Sequence, residues 1–231
     1  ARHGFLYLRG EYFYLHDKLQ SILDERRKSG LLGVNILQTG LDFDIEICLC
    51  AGAYICGESS ALLESLEGKI VIPRNRPPSA VIRGYLGNPT VVNNVESYLA
   101  AAAIAVNGGG WFASLGTEKS KGTKILSICG DCSRPGIYEY PFGTSIQTIL
   151  DDCGASNVLG IQVGGASGTF ISNLEFDRIL AFEDLSTGGA FVVFNNNRNI
   201  LEIVNNYTHF FAHESCGFCT PCRVGTSLLK K

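Results

Sequence analysis

The chain has 231 residues, enough for one large domain or two to three small ones with a real core. Hydrophobic residues make up 45% and charged residues 18%, with a formal net charge of −3, a balance that argues against nucleic acid as the main partner. No apolar run reaches the length of a membrane span, since the longest, Tyr98 to Val106, stops at Gly108-Gly109-Gly110.

The nine cysteines are not spread as a disulfide framework, and nothing resembles a secretory signal peptide. The cysteine placement points to a reducing cytoplasm. There is no methionine anywhere, and the last residues still read as helix. The expectation is an interior piece of a longer polypeptide.

Gly4 to Arg9 alternates as a strand. His16 to Lys28 carries Leu19, Ile22 and Leu23 at helical spacing and closes at Ser29-Gly30. Asp42 to Cys48 sets Phe43, Ile45 and Ile47 against Asp44 and Glu46, a half-buried strand. A βαβ unit fits this order and places the next turn at the carboxyl edge of a sheet, where open α/β folds bind ligands. That turn, from Ala51 through Tyr54, Gly57 and Glu58 to Ser60, is rich in small residues and opens a short apolar helix. Free N–H groups at a helix start suit a phosphate or a carbonyl-rich ring. Read alone, it is equally a tight strand-to-helix turn with Glu58 opposite the helix dipole.

Residues 69–90 hold four of the seven prolines and the cations Arg74, Arg76 and Arg83. This reads as a long ordered loop anchored by Ile70, Val71, Ile72, Val81 and Ile82, with cations that either meet phosphates or are solvated. Asn93, with Glu96 three residues on, reads as a capping box for a helix through Val106, leaving Asn94 to turn its amide to a ligand. Beyond Gly116 come a strand (Lys124 to Cys129), a turn, a second strand (Ile137 to Tyr140), a helix (Thr144 to Asp152) and Ile161 to Val163. That order reads as a small β-grasp insert. Cys129 and Cys132 lack a second pair and read as structural.

The last helix, Ile200 to Ser215, repeats apolar residues at three and four and leads into Cys216, Cys219 and Cys222. Three thiols at i, i+3 and i+6 suit one face of an iron–sulfur cubane, with a fourth ligand from elsewhere. A zinc site prefers two separated C-x-x-C pairs, and a chance group of thiols is the remaining alternative. Gly217 would keep the backbone near the metal and Pro221 would fix the turn between the last two ligands. His209 and His213 read as structural.

Three stretches together carry a resemblance: Gly52 to Glu58 with Ala61 to Gly68, then Pro89 to Glu96, then the cysteine run. In this order they resemble the NADH-binding flavoprotein subunit of respiratory complex I, a type shared with NAD-reducing hydrogenases and NAD-dependent formate dehydrogenases. Gly130 to Glu139 resembles that family's SLBB β-grasp domain. Ala181 to Ser186 and Cys222 to Gly225 resemble the diaphorase subunit of soluble NiFe hydrogenases. The fold implied is α/β: a partial Rossmann-like FMN/NADH-binding domain over 1–115, an SLBB insert over 116–195 and a partial helical iron–sulfur domain over 196–231.

The resemblance implies hydride transfer from NADH to FMN and single-electron release to a 4Fe-4S cluster. It places Tyr54, Gly57, Glu58, Ser59, Arg76, Asn93 and Asn94 around FMN and NAD(H), with Glu58 catalytic beside the nicotinamide. Cys216, Cys219 and Cys222 become cluster ligands. It also implies partner iron–sulfur subunits, among them a 2Fe-2S thioredoxin-like one. The function implied is that of the diaphorase subunit of a soluble NAD-reducing hydrogenase; the alternatives are the equivalent subunit of respiratory complex I or of an NAD-dependent formate dehydrogenase, or a non-catalytic iron–sulfur scaffold. The chain departs from the family pattern at Ser59 (usually a second Glu), Arg76 (usually Lys), Ser79 (usually aromatic), and Leu49 and Cys50 (usually Arg and Gly). The Ser59 departure implies weaker discrimination against NADP(H). The family's glycine-rich flavin loop and fourth cluster cysteine are expected outside the 231 residues.

Overall fold

The computed structural model describes residues 1–50 and 52–231. The chain divides into two compact units, one of Ala1–Val92 with Phe210–Lys231 and one of Asn93–His209.

In the first unit, strand β1 (His3–Leu8) leads through a 3-10 turn (Gly10–Leu15) into helix α1 (His16–Lys28), the helix bounds read from the sequence. Strands β2 (Gly33–Ile36) and β3 (Leu41–Leu49) follow, and the sheet order is β1-β3-β2. β1 runs parallel to β3 from His3 opposite Asp44 to Leu8 opposite Leu49, as a βαβ path requires, whereas β2 pairs antiparallel. Nothing in the sequence pattern announces β2. Its four residues include Gly33 and an Asn35 with positive φ, too short and irregular to carry a period. Arg27 pins α1 to the sheet, its Nε 3.0 Å from Asp44 Oδ1 and one terminal nitrogen donating to the Ile45 carbonyl at 2.7 Å.

The ladder extends one step past β3, where the Cys50 N–H donates to the Leu8 carbonyl at 2.8 Å. The chain then makes the 3-10 turn Tyr54–Gly57 and helix α2 (Ser59–Leu66). Cys50, Cys56, Ala61 and Leu63 are buried beneath this turn.

The loop 69–90 is ordered, but of the anchors expected only Val71 and Ile72 are partly buried. Ile70, Val81 and Ile82 are exposed. Charge does most of the holding: Arg74 reaches back to Glu64 and Glu67 on and just past α2, and its backbone N–H donates to Ser60 Oγ at 2.9 Å. Glu67 also accepts from Lys69 at 2.6 Å and from the Leu86 N–H at 2.7 Å. An ion pair can replace apolar anchoring here because α2 ends on acidic residues just where the loop supplies cations.

The second unit opens with α3 (Val95–Asn107) and α4 (Gly109–Ala113). The α3 cap is Asn94, whose Oδ1 accepts from the Glu96 N–H at 2.9 Å, not Asn93. The capping box does not form, because the Glu96 carboxylate accepts instead from the Ile125 N–H at 2.8 Å and pairs with Lys124. Strands β4 (Thr123–Gly130) and β5 (Gly136–Pro141) form a hairpin, followed by α5 (Ile146–Cys153), β6 (Val158–Val163), β7 (Thr169–Ser172) and β8 (Ala190–Asn195). The sheet order is β5-β4-β8-β6-β7, with β4 and β8 parallel in the middle. Ile146, Ile149 and Leu150 of α5 pack on Leu126, Ile161 and Phe191 as a core with almost no solvent contact. Asp131 receives a two-pronged bond from Arg198 (2.6 and 2.9 Å) and the Asn195 N–H, tying the end of β4 to the segment before the next helix.

Helix α6 (Ile200–Glu214) and helix α7 (Thr220–Leu229) flank the cysteine run. Pro221 lies in the first turn of α7, where a missing N–H costs nothing, so it starts a helix rather than fixing a turn between ligands. Among the described residues, no helix is long and apolar enough to cross a membrane.

Candidate functional site

The turn after β3 is held from below and leaves its upper side open. The Tyr7 hydroxyl donates to Ser65 Oγ at 2.6 Å, and burial together with the neighbouring Cys50 and Cys56 thiols pushes its pKa well up. Gly52 has φ of +88°, which an L side chain rarely adopts, and its N–H donates to Cys50 Sγ at 3.3 Å. Cys50 thus fills a buried position under the turn. At Gly57, a Cβ would meet nothing within 4 Å, so the backbone faces free space. A planar ring can approach the chain there without meeting a side chain.

Glu58 is the N-cap of α2. Its Oε2 accepts from the N–H groups of Ser60 (2.9 Å) and Ala61 (2.8 Å), and Oε1 accepts from Arg76 at 2.6 Å. Partial burial opposes ionisation, yet these donors outweigh it and hold the carboxyl below its usual range. At neutral pH Glu58 is therefore a fixed anion, not a proton donor. The same Arg76 nitrogen lies 3.1 Å from Ser59 Oγ, and its side chain is 54% exposed, so one cation spans both positions and remains open to solvent.

Asn93 and Asn94 belong to the second unit and are exposed. Asn94 is spent as a cap, while the Asn93 side chain makes no hydrogen bond among the described residues.

The cysteine run begins one residue after α6. Cys216 is half-buried, Cys219 and Cys222 are exposed, and none is bridged. Cys219 is the N-cap of α7, and Cys222 lies within it with Ser215 Oγ 3.4 Å from its Sγ. Gly217 has φ of +75°, and its carbonyl accepts from Arg223 at 2.6 Å, which folds the loop back on α7. Among the described residues, no three His, Cys, Asp or Glu side chains converge as a metal-ion site. The donor set itself, three accessible thiols at i, i+3 and i+6, fits three corners of a 4Fe-4S cluster.

Sequence reasoning missed the residue that joins these two places. The Tyr54 N–H donates to Glu214 Oε2 at 3.0 Å across 160 positions of sequence. The Tyr54 ring meets Phe210 edge-on at 5.1 Å and Phe211 at 6.5 Å. Glu214 adjoins the cysteine run, but nothing local marks an acid at a helix end as the partner of a distant backbone amide.

The first unit thus sets an open, small-residue turn at the end of β3 against the helix that leads into three spaced thiols. Residues 1–103 match the Nuo51 FMN-binding domain family and residues 202–231 the NADH-ubiquinone oxidoreductase-F iron-sulfur binding region. The chain is 51% identical over 227 residues to NAD-reducing hydrogenase HoxS subunit alpha of Cupriavidus necator, covering 97% of this chain and 38% of that protein. It is 39% identical over 236 residues to a polypeptide of the NADH-quinone oxidoreductase of Escherichia coli K12, covering 97% and 53%. A crystal structure of NAD+-reducing [NiFe]-hydrogenase in the H2-reduced state superposes with a TM-score of 0.92 at 45% identity, covering 100% of this chain and 39% of that one. The chain belongs to the family of NADH-binding flavoproteins that respiratory complex I and NAD-reducing hydrogenases share. It spans 38% to 53% of the length of these two relatives.

Proposed function

We propose that the protein of which this chain is part passes electrons from NADH through FMN to a 4Fe-4S cluster, as the diaphorase subunit of a soluble NAD-reducing hydrogenase. The observation that carries this is the bond from the Tyr54 N–H to Glu214, which fastens the open turn to the helix that delivers the cysteines. FMN, when bound, supplies the conversion of a two-electron hydride into single electrons. Tyr54, Gly57, Ser59, Asn93 and Asn94 would border the flavin and NAD(H). Glu58 would present its fixed negative charge near the nicotinamide. Arg76 pairs with Glu58, which the Ser60 and Ala61 donors chiefly keep ionised, and would offer a cation to a phosphate. Cys216, Cys219 and Cys222 would hold three corners of the cluster.

The sheet β1-β3-β2 with its βαβ path supports a partial Rossmann-like domain over 1–115. The five-stranded order around a parallel β4–β8 pair, with α5 packed on it, supports an SLBB β-grasp domain over 116–195. A helical cluster domain would run over 196–231. The reading also takes in partner subunits carrying further clusters, among them a 2Fe-2S one, and a cytoplasmic site, and likeness to a subunit of an NAD-reducing hydrogenase is what supports it.

Visible spectroscopy of the complete enzyme tests the reading. Flavin bands that bleach on adding NADH, followed by loss of cluster absorbance, are expected. Cluster absorbance without flavin would make the protein an iron–sulfur scaffold instead, and a colourless zinc protein would refute both.

A further inference from the structure

Helix α6 ends on Glu214, an acid at the carbonyl end, where the helix dipole favours a cation. Its stabilising role therefore lies outside its own helix. The 3-10 turn Tyr54–Gly57 has the complementary defect. Its N-cap is Ala53, a side chain with no acceptor to offer the opening N–H groups of the turn. Glu214 supplies such an acceptor from 160 positions away, and Phe210, one turn earlier on α6, packs against the ring of the same tyrosine. On its other side Glu214 adjoins Ser215, whose Oγ accepts from the Gly217 N–H at 3.3 Å and lies 3.4 Å from Cys222 Sγ.

We propose that Glu214 is a positioning residue: by capping the Tyr54 turn in trans it fixes the separation between the flavin side and the thiol side of the relay. This rests on the flavin-to-cluster reading above. The bond Glu214 makes is to the chain itself. It acts through the Tyr54 backbone, so its loss slows the passage of electrons between the two places and spares the arrival of hydride.

The test uses the complete enzyme with its partner subunits, as wild type, Glu214→Ala and Glu214→Gln. The first readout is amide hydrogen exchange at Tyr54 on protein stripped of flavin, which registers the capping bond without any turnover. Glu214→Ala is expected to speed that exchange about tenfold or more, while Glu214→Gln, which keeps a side-chain oxygen, stays within about threefold of wild type. The second readout is rapid mixing with NADH. Flavin bleaching should stay within about twofold of wild type in both variants, whereas cluster reduction in Glu214→Ala should slow about threefold or more, since electron passage depends on the separation at which the two places are held. Unchanged Tyr54 exchange in Glu214→Ala, unchanged cluster reduction, or a Glu214→Gln as impaired as Glu214→Ala would each overturn the proposal. Should Glu214→Ala not assemble, Glu214→Asp, shorter by one methylene, is held to the same outcomes. Wild type that NADH does not bleach would refute the flavoprotein reading instead, while the exchange measurement still judges the capping bond.

Discussion

Glu67 shows how much a single carboxylate can do for a loop. Its side chain is 2% exposed and is shared by Lys69, Arg74 and the Leu86 N–H. Burial opposes its charge, but these donors win and bring its pKa down to about 2. A free Glu titrates near about 4.3, so this carboxyl contributes stability that is fully present above that pH and is lost as pH falls toward 2. Glu67→Gln should cost about 3 kcal/mol in urea unfolding at pH 7, at the low end for breaking a buried pair because Lys69 is largely solvated. The gap between variant and wild type should close as pH approaches 2. A gap that persists there would mean shape, not charge, holds the loop. Asp131 follows the same sign, with Arg198 and the Asn195 N–H lowering it to about 2.

Ser59 carries a prediction about the dinucleotide. The exposed Arg76 bridges Ser59 and Glu58, and a second carboxylate at 59 would neutralise that cation. Ser59→Glu should lower the NADPH-to-NADH ratio of kcat/KM by about tenfold or more, the scale of a like-charge penalty against a 2′-phosphate. Steady-state kinetics with the two dinucleotides decide it, and an unchanged ratio sinks the idea.

At the scale of elements, the sequence was most legible where one period dominated. Helix α1 and the strand core of β3 and β4 fell where periodicity put them, with the dry face complete only in β4, where Leu126 and Ile128 are buried. β8 was missed for the opposite reason: Ala190-Phe191-Val192-Val193-Phe194 is an unbroken apolar run, which cannot reveal a strand by alternation. The cap of α3 moved by one residue because adjacent asparagines are locally equivalent, and only the pull of Ile125 and Lys124 on Glu96 separates them. Asn94→Ala should therefore cost about 1 kcal/mol and Asn93→Ala nearly nothing in thermal unfolding. Ile149, fully buried on α5 against the second sheet, should cost about 3 kcal/mol when cut to Ala, measured the same way.

Burial is uneven across the whole molecule. The second unit has a continuous dry core from Leu126 to Val193. The first unit buries a handful of residues around Leu8, Cys56, Ala61 and Leu63, and α1, α6 and α7 bury no residue fully. The unit proposed to bear the flavin turn and the cysteines is thus the one with less hydrophobic burial to hold it. The 231-residue chain by itself should lose FMN and cluster on gel filtration, with absorbance falling well below one of each per chain, whereas the complete polypeptide should keep both. Equal retention would show that these residues suffice.

The sequence by itself determined the chemistry: three thiols at fixed spacing, a small-residue turn after a strand, and the order of motifs that marks the family. These are local, because ligand type, backbone freedom and periodicity are properties of neighbouring residues. The tertiary structure decided which distant groups meet. That Arg74 holds its loop through Glu64 and Glu67, and that Glu214 caps a turn whose own cap is an alanine, could not be read along the chain. A hydrogen bond requires a partner within about 3 Å. Sequence separation says nothing about that distance until the chain has folded.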